Sequence, residues 1–105
     1  MNTQYKKGVL ELCVLSLLQN GDRYGYEISE RLSETIDIAD GTVYPILRKL
    51  KSDGLVTTYL QEESGGPPRK YYSLTQEGLE TYKSDRAEYL DFARAVKELL
   101  EDEEK

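Results

Sequence analysis

The chain breaks into stretches of distinct hydrophobic period. Residues 8–18, Gly-Val-Leu-Glu-Leu-Cys-Val-Leu-Ser-Leu-Leu, are apolar at nearly every position, with Glu11 and Ser16 as the interruptions. A helix apolar all round lacks a broad solvent face, so one side is expected against the chain's own core and the other against a partner chain. Asn20-Gly-Asp22 ends it with turn chemistry. From residue 24 to about 34, Tyr24, Ile28 and Leu32 recur at i, i+4 and i+8 and predict a second helix. After a short connection over 35–39, residues 40 to about 53 predict a third. Its apolar positions Val43, Ile46, Leu47 and Leu50 form a clean amphipathic stripe. Asp40 or Thr42 is placed to cap it. Pro45 falls in the first turn, where a missing N–H costs least, and Gly54 closes the helix.

The period then shortens. Residues 55–60 and 69–74 are rich in β-branched and aromatic side chains, and the Gly/Pro-rich segment 61–68 between them reads as a hairpin tip. Two helices joined by a short turn, followed at once by a hairpin, form a helix-turn-helix with a wing. Thr75 caps a last helix running from 76 to about 103, with Glu77 in a first turn that favours an anion. At 1.5 Å per residue it reaches roughly 40 Å, longer than one small domain needs. Leu79, Tyr82, Arg86, Tyr89, Ala93, Val96 and Leu100 alternate spacings of three and four, a heptad seam with one polar member that suits helix–helix pairing. The expected fold is mainly α with a small β-hairpin. A winged helix-turn-helix occupies residues 1–75, and a long dimerisation helix with an acidic tail occupies 76–105. Leu10, Val14 and Leu17 of the first helix, with Tyr82, Tyr89, Ala93, Val96 and Leu100 of the last, are the expected dimer contacts.

Composition narrows the function. In 105 residues there is one cysteine, Cys13, and no histidine. A disulfide framework, a multi-cysteine metal site, a Ser-His-Asp triad and His-ligated zinc are therefore excluded, and no metal or cofactor is expected. Cys13 reads as a small buried hydrophobe, because nothing basic beside it in sequence lowers its pKa. Candidate nucleophiles such as Ser29 lack a base and the carboxylates are spread over helix faces, so no enzyme is expected. The apolar run 9–18 is far below the ~20 residues of a membrane span and has no signal-peptide cleavage site, which points to a cytoplasmic chain.

The net charge is −6, the wrong sign for a nucleic-acid binder until it is read by segment. Residues 76–105 carry five cations against ten anions, whereas 41–75 carry five cations against three anions. With the third helix's stripe buried, Thr42, Tyr44, Pro45, Arg48 and Lys49 remain for a ligand, and Gly41 permits close backbone approach. Hydroxyls and cations at a lean helix start suit the major groove. Arg69 and Lys70 follow the rigid Gly-Gly-Pro-Pro tip and suit the phosphate backbone or a minor groove, though charge on a hairpin edge also guards against aggregation. Lys6, just before the apolar helix, is a further phosphate candidate.

Several motifs together resemble the PadR family of transcriptional regulators, in its short form with a single C-terminal helix. They are the apolar run 8–18, Tyr24-Gly-Tyr-Glu-Ile, Gly41-Thr-Val-Tyr-Pro-Ile-Leu-Arg-Lys-Leu, Gly54-Leu-Val and Gly66-Pro-Pro-Arg-Lys-Tyr-Tyr-Ser-Leu-Thr-Gln-Glu-Gly. The resemblance implies a winged helix-turn-helix homodimer that represses promoters carrying an inverted repeat. Thr42, Tyr44 and Pro45 would then face DNA from the helix, and Arg69 and Lys70 from the wing. Some members hold planar aromatic compounds at the dimer centre with a tryptophan of the last helix. This chain has no tryptophan, and Tyr89, Phe92 and Val96 are the residues that could line such a space for a small aromatic effector, or simply pack. The alternative to a DNA-binding repressor is a winged-helix protein-interaction module that uses the acidic helix.

Overall fold

Val43, Ile46, Leu47 and Leu50, the stripe of the third helix, sit at the centre of the core at 2% exposure or less. The computed structural model describes residues 3–62 and 65–102, with side chains from residue 8 onward. Seven elements follow one another: α1 (Thr3–Gln19), β1 (Arg23–Tyr24), α2 (Gly25–Ser33), α3 (Val43–Ser52), β2 (Val56–Gln61), β3 (Arg69–Leu74) and α4 (Gln76–Glu101). Around the α3 stripe close Leu10, Val14, Leu15 and Leu18 of α1, Ile28 and Leu32 of α2, Val56 of β2 and Tyr72 of β3. Each buried aliphatic side chain contributes about 1.5–3 kcal/mol relative to exposure. No buried side-chain polar atom among the described residues lacks a hydrogen bond.

The sheet is antiparallel in the order β1-β3-β2. Sequence pattern anticipated only the hairpin. β1 is two residues long, too short to show a period, and exists because Arg23 and Tyr24 pair with Tyr72 and Tyr71. That pairing also corrects the start of α2: Tyr24 is extended (φ −89°, ψ 162°) and the helix begins at Gly25. α3 likewise begins at Val43 rather than near Asp40. Thr42 takes the N-cap position in the helical region but makes no side-chain capping bond, so neither expected cap is realised.

Helix ends elsewhere follow the expected chemistry. Gly54 has φ +79°. Its N–H donates to the Lys51 carbonyl at 3.0 Å, and the Leu55 N–H donates to the Leu50 carbonyl at 2.9 Å, a Schellman closure of α3. At α4, Thr75 Oγ1 accepts the Gly78 N–H at 2.9 Å, as a cap should.

α1 and α4 carry the correction that matters most. Leu10 (5% exposed) and Val14 (0%) lie in the chain's own core, and Leu17 and Tyr82 pack against it. Leu10 and Val14 therefore cannot be presented to a second molecule. α1 is apolar all round because the core takes two of its sides, leaving Val9 and Leu12 half-buried beside α4. Past Tyr82, α4 leaves the core. Tyr89, Ala93 and Val96 are half-buried, whereas Phe92 (53%), Leu99 (73%) and Leu100 (63%) are largely exposed. This projecting helix stretches the molecule to 61 × 28 × 21 Å. Among the described residues, no helix is long and apolar enough to cross a membrane.

Candidate nucleic-acid interface

Strand alternation sorts the wing. Val56, Thr58 and Leu60 of β2 stand opposite Leu74, Tyr72 and Lys70 of β3, and the burial of Val56 and Tyr72 marks this as the inner face. Tyr59 and Gln61 oppose Tyr71 and Arg69 on the outer face. Lys70 and Arg69, adjacent in sequence, thus leave the strand in opposite directions. Both border one open cleft of about 440 Å³, because β1 is too short to cover that end of β3. The rest of its lining is Tyr24, Gly25, Tyr26, Tyr44, Arg48 and Tyr72, from β1, α2, α3 and β3.

On the α2 side of the cleft, the approach of α3 depends on Gly25. A Cβ on Gly25 would lie 3.0 Å from Tyr44 Cε1, so the missing side chain lets the Tyr44 ring rest across the start of α2. Tyr44 is 39% exposed and Tyr26 61% exposed, both beside Arg48, Arg69 and Lys70. The charge of the Glu30 carboxylate and a hydrogen bond to it raise the Tyr26 pKa, so that phenol is already engaged within α2. Burial pushes the Tyr72 phenol above its ordinary pKa of 10, the neighbouring Tyr44 adds to this, and Arg48 partly offsets it. Three cations around a concavity, with Tyr44 beside them, can hold phosphate oxygens through charge-assisted hydrogen bonds.

Sequence reasoning grouped Lys49 with these cations, and the structure separates it. Lys49 Nζ lies 2.9 Å from Asp53 Oδ2 and 3.3 Å from Glu11 Oε1, bridging α3 to α1 away from the cleft. Hydrogen bonding to Asp53 and Glu11 raises its pKa further. Its charge is already matched, so Lys49 is a structural tie between helices. Thr42 is half-buried and Pro45 exposed at the start of α3; neither lines the cleft. The Lys6 side chain lies outside the described residues.

Tyr24, Tyr26 and Tyr72 were not singled out as cleft residues by pattern. For Tyr26 a signal existed: it falls off the Tyr24/Ile28/Leu32 stripe, on the solvent side of α2. Cys13 is half-buried, and burial pushes its thiol above the usual value, in keeping with a packing role. Among the described residues, no group of three or more acidic, cysteine or histidine side chains could hold a metal ion.

Known proteins with this arrangement point one way. Residues 14–84 match the model of the Transcriptional regulator PadR-like family. A Streptococcus transcriptional regulator, known from its crystal structure, is 37% identical with a TM-score of 0.85, covering 93% of this chain and 98% of that one. A PadR-like transcriptional regulator of Bacillus cereus is 34% identical with a TM-score of 0.85, covering 96% and 100%. The negative transcriptional regulator PadR of Bacillus subtilis is 28% identical over 99 residues, 90% of this chain but 52% of that protein. The chain therefore spans about half the length of that regulator. The family match covers well over half of the chain, and with the winged helix-turn-helix geometry and its cationic cleft it leads to one conclusion: this chain belongs to the PadR-like family of transcriptional regulators, DNA-binding proteins rather than enzymes.

Proposed function

We propose that the chain is a homodimeric repressor that grips an inverted-repeat operator through the cleft between α3 and the wing. The observation that carries this reading is the convergence of Arg48, Arg69 and Lys70 beside Tyr44 in one concavity, in a chain of net charge −6. Thr42 and Pro45, at the lean start of α3, would meet base edges or sugar, and the cleft cations would meet phosphate. Residues 1–75 form the DNA-binding part and residues 76–105 the dimerising part. The Bacillus subtilis relative is a negative transcriptional regulator, which favours repression over activation.

A second copy gives α4 its purpose. Its distal half carries an apolar groove lined by Tyr89, Phe92, Ala93, Val96 and Leu100 that the chain's own core leaves uncovered. Pairing of these helices, with Val9 and Leu12 of α1 alongside, would set two α3 helices roughly 34 Å apart, one turn of DNA. Tyr89, Phe92 and Val96 would then pack between the copies, and a small aromatic effector would have to enter that same seam. A protein of this kind works in the cytoplasm, on the chromosome. The experiment is a binding titration of the DNA upstream of its own gene across salt concentrations, run beside sedimentation of the free protein. The reading expects a dimer and an affinity falling linearly with salt on a log–log plot. A monomer, or binding indifferent to salt, would refute it.

A further inference from the structure

Arg69 lies over the face of Tyr24, its guanidinium carbon 4.6 Å from the ring centroid. Tyr24 is itself braced. Its ring meets Tyr71 at 5.7 Å and 56°, Tyr71 stacks on Tyr59 at 5.7 Å and 14°, and the Tyr59 hydroxyl donates to Asp22 Oδ2 at 2.7 Å. A row of three rings thus crosses the outer face of the sheet from β1 to β2, and Arg69 sits at its β1 end. Among the described residues, no carboxylate forms an ion pair with Arg69, in contrast to Lys49. We propose that Tyr24 is the positioning residue for Arg69, holding the guanidinium flat so that its N–H edge is offered to a DNA phosphate.

The physical case rests on which part of the guanidinium each partner uses. Stacking on an aromatic ring engages the planar face and leaves the in-plane N–H fork free. A carboxylate would take the fork itself and match the charge. An arginine already lying on a ring also has less rotamer freedom to lose when DNA arrives. The two-residue strand β1 makes the arrangement possible, since pairing of Tyr24 with Tyr71 sets the ring one step from Arg69 along the same face. The proposal rests on the reading above that Arg69 meets DNA.

The test needs no operator, because phosphate contacts are independent of sequence. Arg69→Ala, Arg69→Lys, Tyr24→Phe, Tyr24→Leu and the Tyr24→Leu/Arg69→Ala double variant are titrated against a mixed-sequence duplex of about four helical turns at several salt concentrations. Arg69→Ala is expected to weaken binding and reduce the salt slope by about 0.9 per wing. Tyr24→Phe keeps the ring and is expected to lose less affinity than Tyr24→Leu. Tyr24→Leu weakens binding about fivefold, the effect of an exposed cation–π contact, and adds nothing to Arg69→Ala. Arg69→Lys, with its charge kept but its fork lost, falls between. Tyr24→Leu binding as the wild type, or losses that multiply in the double variant, overturns the proposal and leaves the wing contact standing. No effect of Arg69→Ala removes the wing contact and the proposal with it. A measurement on the unaltered protein guards against a misfolded Tyr24→Leu. The Arg69 side-chain protons should be shifted upfield by the ring, and unshifted resonances would equally overturn the proposal.

Discussion

Gly78, in the first turn of α4, stands against the carbonyl group of Leu55 with no room for a side chain. A Cβ at Gly78 would overlap that oxygen and lie 2.9 Å from its carbon. The same carbonyl accepts the Thr75 N–H at 3.1 Å, while Thr75 Oγ1 donates to the Gly54 carbonyl at 2.7 Å. The end of α3 and the start of α4 are thereby joined through Gly54, Leu55 and Thr75. Because the obstacle is backbone rather than a flexible side chain, Gly78→Ala is expected to cost about 3 kcal/mol, and Thr75→Ala about 1 kcal/mol. Urea unfolding reads both, and a wild-type midpoint for Gly78→Ala would show that the junction relaxes freely.

The division between Arg48 and Lys49 gives a second expectation. Arg48→Ala should weaken DNA binding and lower the salt slope by about 0.9, one phosphate contact per protomer. Lys49→Ala should leave the slope unchanged, because Glu11 and Asp53 already hold that charge. Its cost would appear in stability, and at less than about 1 kcal/mol, since all three groups are partly solvated. Equal slope changes for the two variants would return Lys49 to the DNA-facing set.

Tyr72 makes stability depend on alkaline pH. Burial raises its folded pKa above 10, so the folded state holds the phenol proton more tightly than the unfolded chain does. The stabilisation is fully present below about pH 10 and is lost as the pH rises through the folded value. Thermal melts from pH 8 upward should show a decline in the wild type that is shallower in Tyr72→Phe. Identical profiles would mean the phenol is not desolvated.

Leu10 and Val96 separate folding from association. Leu10→Ala should lower stability by about 2–5 kcal/mol through a core cavity. Val96→Asp, on the uncovered side of α4, should leave the fold intact and shift the sedimenting species to a monomer. Normal self-association in Val96→Asp would locate the contact elsewhere on the molecule.

Much of this was legible in the sequence, and the gaps have specific causes. The α3 stripe, the Gly54 closure, the Thr75 cap and both hairpin strands each rest on local chemistry within a few residues, and each stands where the pattern put it, save that β2 is Val56–Gln61 rather than 55–60. β1 escaped because two residues show no period; only Tyr71 and Tyr72, some 48 positions away, make them a strand. Leu10 and Val14 were assigned to a partner because apolarity on all sides of a helix does not reveal which neighbour covers each side. Lys49 looked like a DNA contact because its second carboxylate, Glu11, is 38 residues distant.

What the residues alone determined was every element but β1, since periodicity, capping and turn chemistry act over a turn or a strand, and through its motifs the family. What the tertiary structure decided was which side chains share a surface. It set Arg48, Arg69 and Lys70 around one cleft, withdrew Lys49, and placed a tyrosine under Arg69. The reason is physical: a charge or a ring takes its role from what lies within a few ångströms, and at those distances most neighbours come from other elements of the chain.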